Sequence, residues 1–219
     1  MGTVMKKQIR EKLALGILLL LGLTACGGEE GSNGAIVNPP VTGPVPEMSI
    51  DACFTMITSL GEVGLGIDSR HTPQSAANFI GYVDDGFYDG TLIHRVIHNF
   101  IIQGGGFTSG MVPKPGKAPI KNEASVGFSN LRGTLAMARA RQSDSATSQF
   151  FINTLDNPQL DYSASSEGYA VFGRVLSGME VVDQIGIVAT TRVGDYSDVP
   201  LEEIVIERIA PSECPMLEE

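Results

Sequence analysis

Three short segments of the chain combine a cation, a polar amide and bulky apolar side chains. They read IHRVIHNFIIQGGGF at 93–107, RGTLAMARA at 132–140 and SQFFINT at 148–154. Arg95 carries a guanidinium, which stays charged and offers a rigid fork of donors, and Gln103 can both donate and accept hydrogen bonds. The phenylalanines supply an apolar wall that would exclude water and strengthen the effect of the cation. Brought to a single groove, these groups would place a fixed charged donor beside an apolar wall.

Two other patterns in these segments suggest metal or cofactor chemistry. His94 and His98 are four residues apart, a spacing that binds metal on a helix, but this stretch predicts strand and turn and has no glutamate between the histidines. The run Gly104-Gly105-Gly106 lacks the spacing and the strand-to-helix context of a dinucleotide loop. We therefore predict no metal site and no cofactor.

The elements that must position these residues are mainly strands. Short apolar runs punctuated by Gly, Asn and Asp predict an antiparallel barrel or sandwich. The runs are 52–60, 62–67, 96–103, 134–138, 149–153, 169–175 and 203–210. Because side chains alternate along a strand, Phe150 and Phe151 should point to opposite faces, with Phe150 in the core.

Two helices are expected beside the strands. Thr72-Pro73 predicts an N-cap followed by the first helical residue. Apolar residues then recur at helical spacing until the segment closes near Gly86; they are Ala76, Ala77, Phe79, Ile80 and Val83. A second helix is predicted over 179–185, where Val181, Val182 and Ile185 share a face.

The N-terminal 25 residues predict a signal peptide. Four basic residues precede an apolar run at 13–23, which is shorter than the ~20 residues needed to cross a bilayer. The sequence Leu23-Thr24-Ala25-Cys26 resembles the lipobox of bacterial lipoproteins, which implies that Cys26 is acylated and becomes the first residue. Gly27, in place of aspartate, implies an outer-membrane anchor facing the periplasm if the cell is Gram-negative. The alternative is an ordinary signal peptide with an incidental cysteine.

Residues 26–47 are rich in Gly and Pro and predict a flexible tether behind the acylated cysteine. Residues 48–213 are enough for one compact domain with a core, and 214–219 form a C-terminal tail. The chain has 15 Lys and Arg against 25 Asp and Glu, a formal charge of −10. This acidity argues against nucleic acid as a partner and against electrostatic adhesion to anionic lipid, so the lipid would be the only membrane link. We expect a monomer.

The three segments, in this order and roughly at these spacings, resemble the cyclophilin family of peptidyl-prolyl cis/trans isomerases, especially its bacterial members, over residues 54–209. The resemblance implies a mainly β fold, a closed eight-stranded antiparallel barrel with two flanking α-helices. It also implies catalysed rotation about Xaa-Pro bonds, whose uncatalysed barrier is ~18–20 kcal/mol. The expected partners are proline-containing, unfolded or partly folded exported polypeptides.

The resemblance assigns roles residue by residue. Arg95, within His94-Arg95-Val96, matches the catalytic arginine, and Gln103 matches the pocket glutamine that hydrogen-bonds the arginine and the substrate. The apolar proline pocket corresponds to Phe100, Ile101, Phe151 and Leu160. The remaining substrate-binding positions are Ala138, Arg139 and Ala140 of the backbone-binding strand, together with Gln149 and Tyr169.

The chain departs from the family at some of these positions. Tyr169 stands where many eukaryotic members have histidine, but bacterial members often have tyrosine there. Arg139 stands where asparagine is frequent, and Gln159 stands where tryptophan is frequent. A second hypothesis is therefore a proline-segment-binding module or chaperone holdase with little turnover. The intact set of Arg95, Gln103 and Phe151 favours catalysis.

The resemblance also bears on the cysteines. The first and last strands of the family's barrel are neighbours, which would bring Cys53 near Cys214. A disulfide in an oxidising periplasm and two free cysteines both remain open, because sequence does not supply the Cα separation.

Overall fold

The computed structural model describes residues 38–39 and 44–215. The predicted signal peptide at 1–25, the acylation site Cys26, most of the tether and residues 216–219 of the tail lie outside the described residues. Within the described part of the chain, no helix is long and apolar enough to cross a membrane.

Eleven strands and two α-helices make up the described domain. The strands are β1 (Ala52–Thr58), β2 (Gly61–Ile67), β3 (Thr91–Ile97), β4 (Ile101–Thr108), β5 (Val112–Pro113), β6 (Thr134–Met137), β7 (Phe150–Asn153), β8 (Val171–Ser177), β9 (Thr190–Val193), β10 (Tyr196–Pro200) and β11 (Val205–Ser212). The helices are α1 (Pro73–Asp84) and α2 (Met179–Gly186).

Eight of the strands close into a barrel. Their order is β3-β11-β1-β2-β8-β6-β7-β4, and an additional β3–β4 pairing closes the ring. Every pairing is antiparallel. The two-residue strand β5 extends β4 at its end, and β9 with β10 forms a separate hairpin. The predicted closed eight-stranded barrel with two helices is confirmed.

The barrel core is organised around Phe79 of α1. Its ring centroid lies between 5.4 and 5.9 Å from those of four buried aromatic residues, Phe54, Tyr88, Phe150 and Phe172. Edge and tilted contacts of this kind add to the free energy gained from burying the rings. The apolar face of α1 therefore closes one end of the barrel.

The start of α1 is as predicted, but its capping differs. Pro73 is the first helical residue, whereas the Thr72 hydroxyl donates to the carbonyl of Asp68 at 2.8 Å and caps nothing. The carboxylate of Glu123 instead accepts from the main-chain amides of Gln74, at 3.1 Å, and Ser75, at 2.8 Å. A carboxylate at this end is favoured because the first amides of a helix have no intrahelical acceptor.

The apolar run at 96–103 does not form one strand. The run is divided by a turn between β3 and β4, in which the amide of Phe100 donates to the carbonyl of Ile97 at 3.1 Å. Asn99 has φ +55°, a left-handed conformation that asparagine tolerates better than most residues. The polar pair His98-Asn99 marked this turn in the sequence, and the resulting hairpin places β3 against β4.

Two contacts tie the ends of the chain to the barrel. The Cys53 and Cys214 sulfurs are bonded, with 5.1 Å between the Cα atoms, so Cys214, which we had assigned to the tail, is joined to β1. In the segment predicted as a tether, the Asn38 amide and side chain donate to the carbonyls of Ala164 and Ser163 at 3.1 and 3.0 Å. Asn38 is buried there, so the segment predicted as a tether contacts the domain at this residue.

Candidate active site

A lateral row of residues crosses five strands on the outer face of the barrel. Arg95 pairs with Gln103, Gln103 with Phe151, Phe151 with Ala136, and Ala136 with Val171. Cross-strand partners project from the same face of a sheet. Three segments that are distant in sequence thus place a cation, an amide and an apolar surface side by side.

The polar end of this row is a short chain of hydrogen bonds. Arg95 Nη1 donates to Gln103 Oε1 at 3.4 Å, and Gln103 Nε2 donates to Gln149 Oε1 at 2.9 Å. A side chain at Gly106 would collide with the amide of Gln149, so the glycine gives Gln149 its room. Gln103 is therefore held between two partners with its side chain half-buried beside the arginine.

The apolar end of the row is a second hydrophobic cluster outside the barrel core. Ile101 and Phe151 are buried in it, and partly buried residues surround them, including Phe100, Leu160 and Tyr169. Phe150 faces the barrel core, 5.5 Å from Phe79. The expected alternation of the two phenylalanines is confirmed, and the residues predicted for a proline pocket lie together.

The three residues predicted to bind a substrate backbone differ in whether their main-chain amides are hydrogen-bonded. The amide of Ala138 donates to the carbonyl of Gln149 at 3.0 Å, and that of Ala140 donates to Ser145 Oγ at 2.9 Å. Among the described residues, the Arg139 amide has no such acceptor. The Arg139 side chain turns back, with Nε donating to the Gly168 carbonyl at 2.9 Å.

His94 lies beside Arg95 as a buried, neutral ring. Burial lowers its pKa to about 4, and the nearby charge of Arg95 acts in the same direction, while the Leu92 carbonyl and the Gln149 side chain oppose the shift. Its ring centroid is 4.5 Å from that of Phe107. At neutral pH the positive charge at this end of the row therefore belongs to Arg95 alone.

The two histidines considered as a metal pair lie in different surroundings. His98 is exposed, and its Nδ1 lies 3.3 Å from the carbonyl of Gly186 on α2, whereas His94 is buried. In the described ranges, no three His, Cys, Asp or Glu side chains are grouped so that they could hold a metal ion.

Sequence reasoning missed the β9–β10 hairpin, which forms a wall beside Arg95. Asp198 Oδ2 lies 3.6 Å from Arg95 Nε, and the Tyr196 ring is 4.9 Å from that of Phe107. A cavity of about 360 Å³ extends from Arg95, Gln103 and Gln149 to this hairpin. The hairpin has no long apolar run from which its strands could have been predicted. The local sequence signal for its turn was Gly194, which adopts φ +56°.

A larger cavity of about 750 Å³ lies elsewhere, between residues 47–50, strand β8 and the disulfide. It holds none of the groups of the lateral row. The chemistry is therefore assigned to the smaller cavity and the adjoining apolar cluster.

Comparison with known proteins identifies the family of this chain. The family described as cyclophilin type peptidyl-prolyl cis-trans isomerase/CLD matches residues 53–210. The chain is 53% identical over 152 residues to peptidyl-prolyl cis-trans isomerase A of Dickeya dadantii, covering 69% of this chain and 80% of that protein. It is 49% identical over 162 residues to peptidyl-prolyl cis-trans isomerase B of Escherichia coli, covering 73% and 99%.

A solved structure has the same fold. The crystal structure of a Cryptosporidium parvum cyclophilin-type isomerase, obtained in the presence of the dipeptide Ala-Pro, superposes with a TM-score of 0.63 at 27% identity. The match covers 74% of this chain and 99% of that one. With the matched barrel and the row from Arg95 to Phe151, this chain belongs to the cyclophilin family, and its activity is peptidyl-prolyl cis/trans isomerisation.

Proposed function

We propose that Arg95 supplies the catalytic cation of this isomerase. In a planar amide the nitrogen lone pair is shared with the carbonyl, and this sharing gives the Xaa-Pro bond its barrier. In the twisted transition state the lone pair returns to nitrogen and can accept a hydrogen bond. A guanidinium beside the proline nitrogen then stabilises the twisted state more than either planar state, which is the requirement for catalysis.

The proposal rests on one observation, the adjacency of Arg95, Gln103 and Phe151 in a single row across β3, β4 and β7. Phe151 is buried in an apolar cluster that suits a proline ring. An acceleration from about 10⁻² to about 10³ per second requires roughly 7 kcal/mol of transition-state stabilisation. A charged donor at the edge of an apolar pocket supplies a part of this stabilisation, about 3 kcal/mol for a single donor.

The experiment compares the rate of cis-to-trans exchange of an Xaa-Pro peptide for residues 48–219 of the wild type and for Arg95→Ala. We expect kcat/KM to fall between about tenfold and a thousandfold, a loss of roughly 1.4–4 kcal/mol. Arg208→Ala, which removes an exposed arginine from β11, is the matched control and should leave the rate unchanged.

The outcome also separates catalysis from binding. A wild type that binds the peptide without accelerating exchange would be a proline-segment-binding module, as in the second hypothesis. An Arg95→Ala variant that keeps full activity would remove the arginine from the mechanism while leaving the enzyme assignment intact.

We further propose that the protein is an exported, lipid-anchored enzyme acting on exported polypeptides at the periplasmic face of the outer membrane. The lipobox-like sequence ending at Cys26 supports acylation. The Cys53–Cys214 pairing supports an oxidising compartment, where disulfides persist. Metabolic labelling with a radioactive fatty acid should mark the wild type and spare Cys26→Ser; an unlabelled wild type would contradict the anchor.

A further inference from the structure

We propose that Asp198, on the β9–β10 hairpin, is a positioning residue for the catalytic arginine. This inference rests on the role proposed for Arg95. The carboxylate Oδ2 of Asp198 lies 3.6 Å from Arg95 Nε, while Gln103 holds Nη1 from the other side. Two partners on different nitrogens fix the plane of the guanidinium, whereas a single partner leaves it free to rotate on its flexible stem.

The backbone of β10 is shaped to aim this carboxylate. Ser197 and Asp198 together stand opposite one residue of β9, because the register shifts between the Tyr196–Val193 and Val199–Thr191 pairs. Such a β-bulge redirects a side chain, and bulges are frequent beside active sites. Asp198 has φ +61°, a conformation that costs energy for a residue other than glycine and that is retained where the surrounding structure enforces it.

The hairpin that carries Asp198 is fixed at both ends. Near its turn, the Tyr196 ring packs 4.9 Å from Phe107, which in turn packs against His94. At its base, Val199 is buried and the amide of Leu201 donates to the carbonyl of Ala189 at 2.9 Å. The Ser197 hydroxyl lies 3.0 Å from Asp198 Oδ2 and can donate to it. The carboxylate is therefore presented to Arg95 by a braced element.

Charge and exposure set the size of the effect. The side chains of Arg95 and Asp198 are 39% and 37% exposed, so water and salt screen their attraction. The ion pair is thus a restraint on orientation, and it leaves the other guanidinium donors available to the substrate. Losing it should lower kcat/KM about twofold to fivefold through kcat, with KM unchanged.

The test variant is Asp198→Asn, because asparagine tolerates positive φ and matches aspartate in shape. Glu207→Gln removes the same charge from an exposed position on β11, outside this cavity, and serves as the control. Exchange of an Xaa-Pro peptide is measured at low ionic strength and at 1 M salt. In the same samples, nuclear magnetic resonance follows the Nε–H signal of Arg95, identified by its loss in Arg95→Lys.

We expect the twofold to fivefold loss for Asp198→Asn alone, a smaller difference from wild type at high salt, and faster exchange of the Arg95 Nε proton with water. The proposal is overturned if Asp198→Asn matches or exceeds the wild type, if Glu207→Gln loses as much, or if KM rises while kcat is kept. Failure of the catalytic role itself would appear separately, as full activity in Arg95→Ala.

Discussion

The guanidinium carbon of Arg139 lies 4.5 Å from the centre of the Tyr169 ring. Both residues belong to the predicted substrate-binding set, and the structure puts them in contact. The Tyr169 ring in turn meets Phe151 edge-on, with 5.6 Å between the centroids. Arg139 therefore acts on the apolar cluster through its hold on Tyr169.

Replacing Arg139 by Gln should loosen Tyr169 and weaken substrate binding. A partly exposed cation–π contact is worth about 0.5–1 kcal/mol, so KM should rise roughly twofold to fivefold while kcat changes little. Initial rates over a range of peptide concentrations measure both constants. Arg141→Gln, at a neighbouring exposed position, is the control. A fall in kcat alone would argue that Arg139 takes part in catalysis.

The buried His94 should make stability depend on pH. Its pKa is about 4 in the folded protein against an ordinary value of 6.5. Between these values the unfolded chain binds a proton that the folded protein does not, so stability falls as the pH drops from 6.5 to about 4. The loss should reach roughly 3 kcal/mol at pH 4 and level off at about 3.4 kcal/mol about one pH unit lower.

Urea unfolding at several pH values between 7 and 4 measures this dependence. His94→Gln should flatten the curve in this window, whereas exposed His98→Gln should not. Asp68 contributes to the pH dependence of stability in a different pH range. Burial acts to raise its pKa, but hydrogen bonds from His71 and Ser49 lower it overall, so its effect comes below its ordinary 3.8. An equally steep curve for His94→Gln would show that another group is responsible.

The Cys53–Cys214 disulfide should stabilise the domain mainly through the unfolded chain. The cysteines are 161 residues apart in sequence, so the bond closes a long loop. Replacing both by alanine should lower the free energy of unfolding by about 2–5 kcal/mol, as measured in urea without reductant. Adding reductant to the wild type should reproduce the loss and leave the double variant unchanged. Equal stability of the wild type and the double variant in the absence of reductant would contradict the prediction.

The contact of Asn38 with residues 163–164 should protect its amide from hydrogen exchange. Each hydrogen bond contributes about 0.5–1.5 kcal/mol, so exchange should be slowed several-fold relative to an unstructured peptide. Tyr162→Phe removes the hydroxyl that donates to the Pro39 carbonyl at 3.1 Å and should weaken the protection. Exchange at the unstructured rate in the wild type would mean that Asn38 is free.

Local sequence patterns were enough to predict much of the fold and one face of the site. Alternation along β7 separated Phe150 from Phe151, because the period of a strand is two residues wherever it pairs. Thr72-Pro73 located the start of α1, because proline fits the first helical position wherever a helix begins. Sequence did not locate Glu123 as the cap, because it reaches the helix from a loop far along the chain.

The rest of the site depends on contacts between distant segments. Resemblance brought Arg95, Gln103 and Phe151 together, but no local pattern near Asp198 indicates that it faces Arg95. The β-bulge that aims it is visible only in the pairing of β9 with β10. In the same way, sequence left the state of Cys53 and Cys214 open, because the pairing of β1 with β11 decides it.

The attachment at Asn38 limits how far the enzyme can work from a bilayer. If Cys26 carries the proposed lipid, eleven residues separate it from Asn38, so the two lie at most roughly 40 Å apart. A tether free up to residue 48 would allow nearly twice that span. The docked enzyme would therefore stay close to the membrane and act on polypeptides that come within that distance of it.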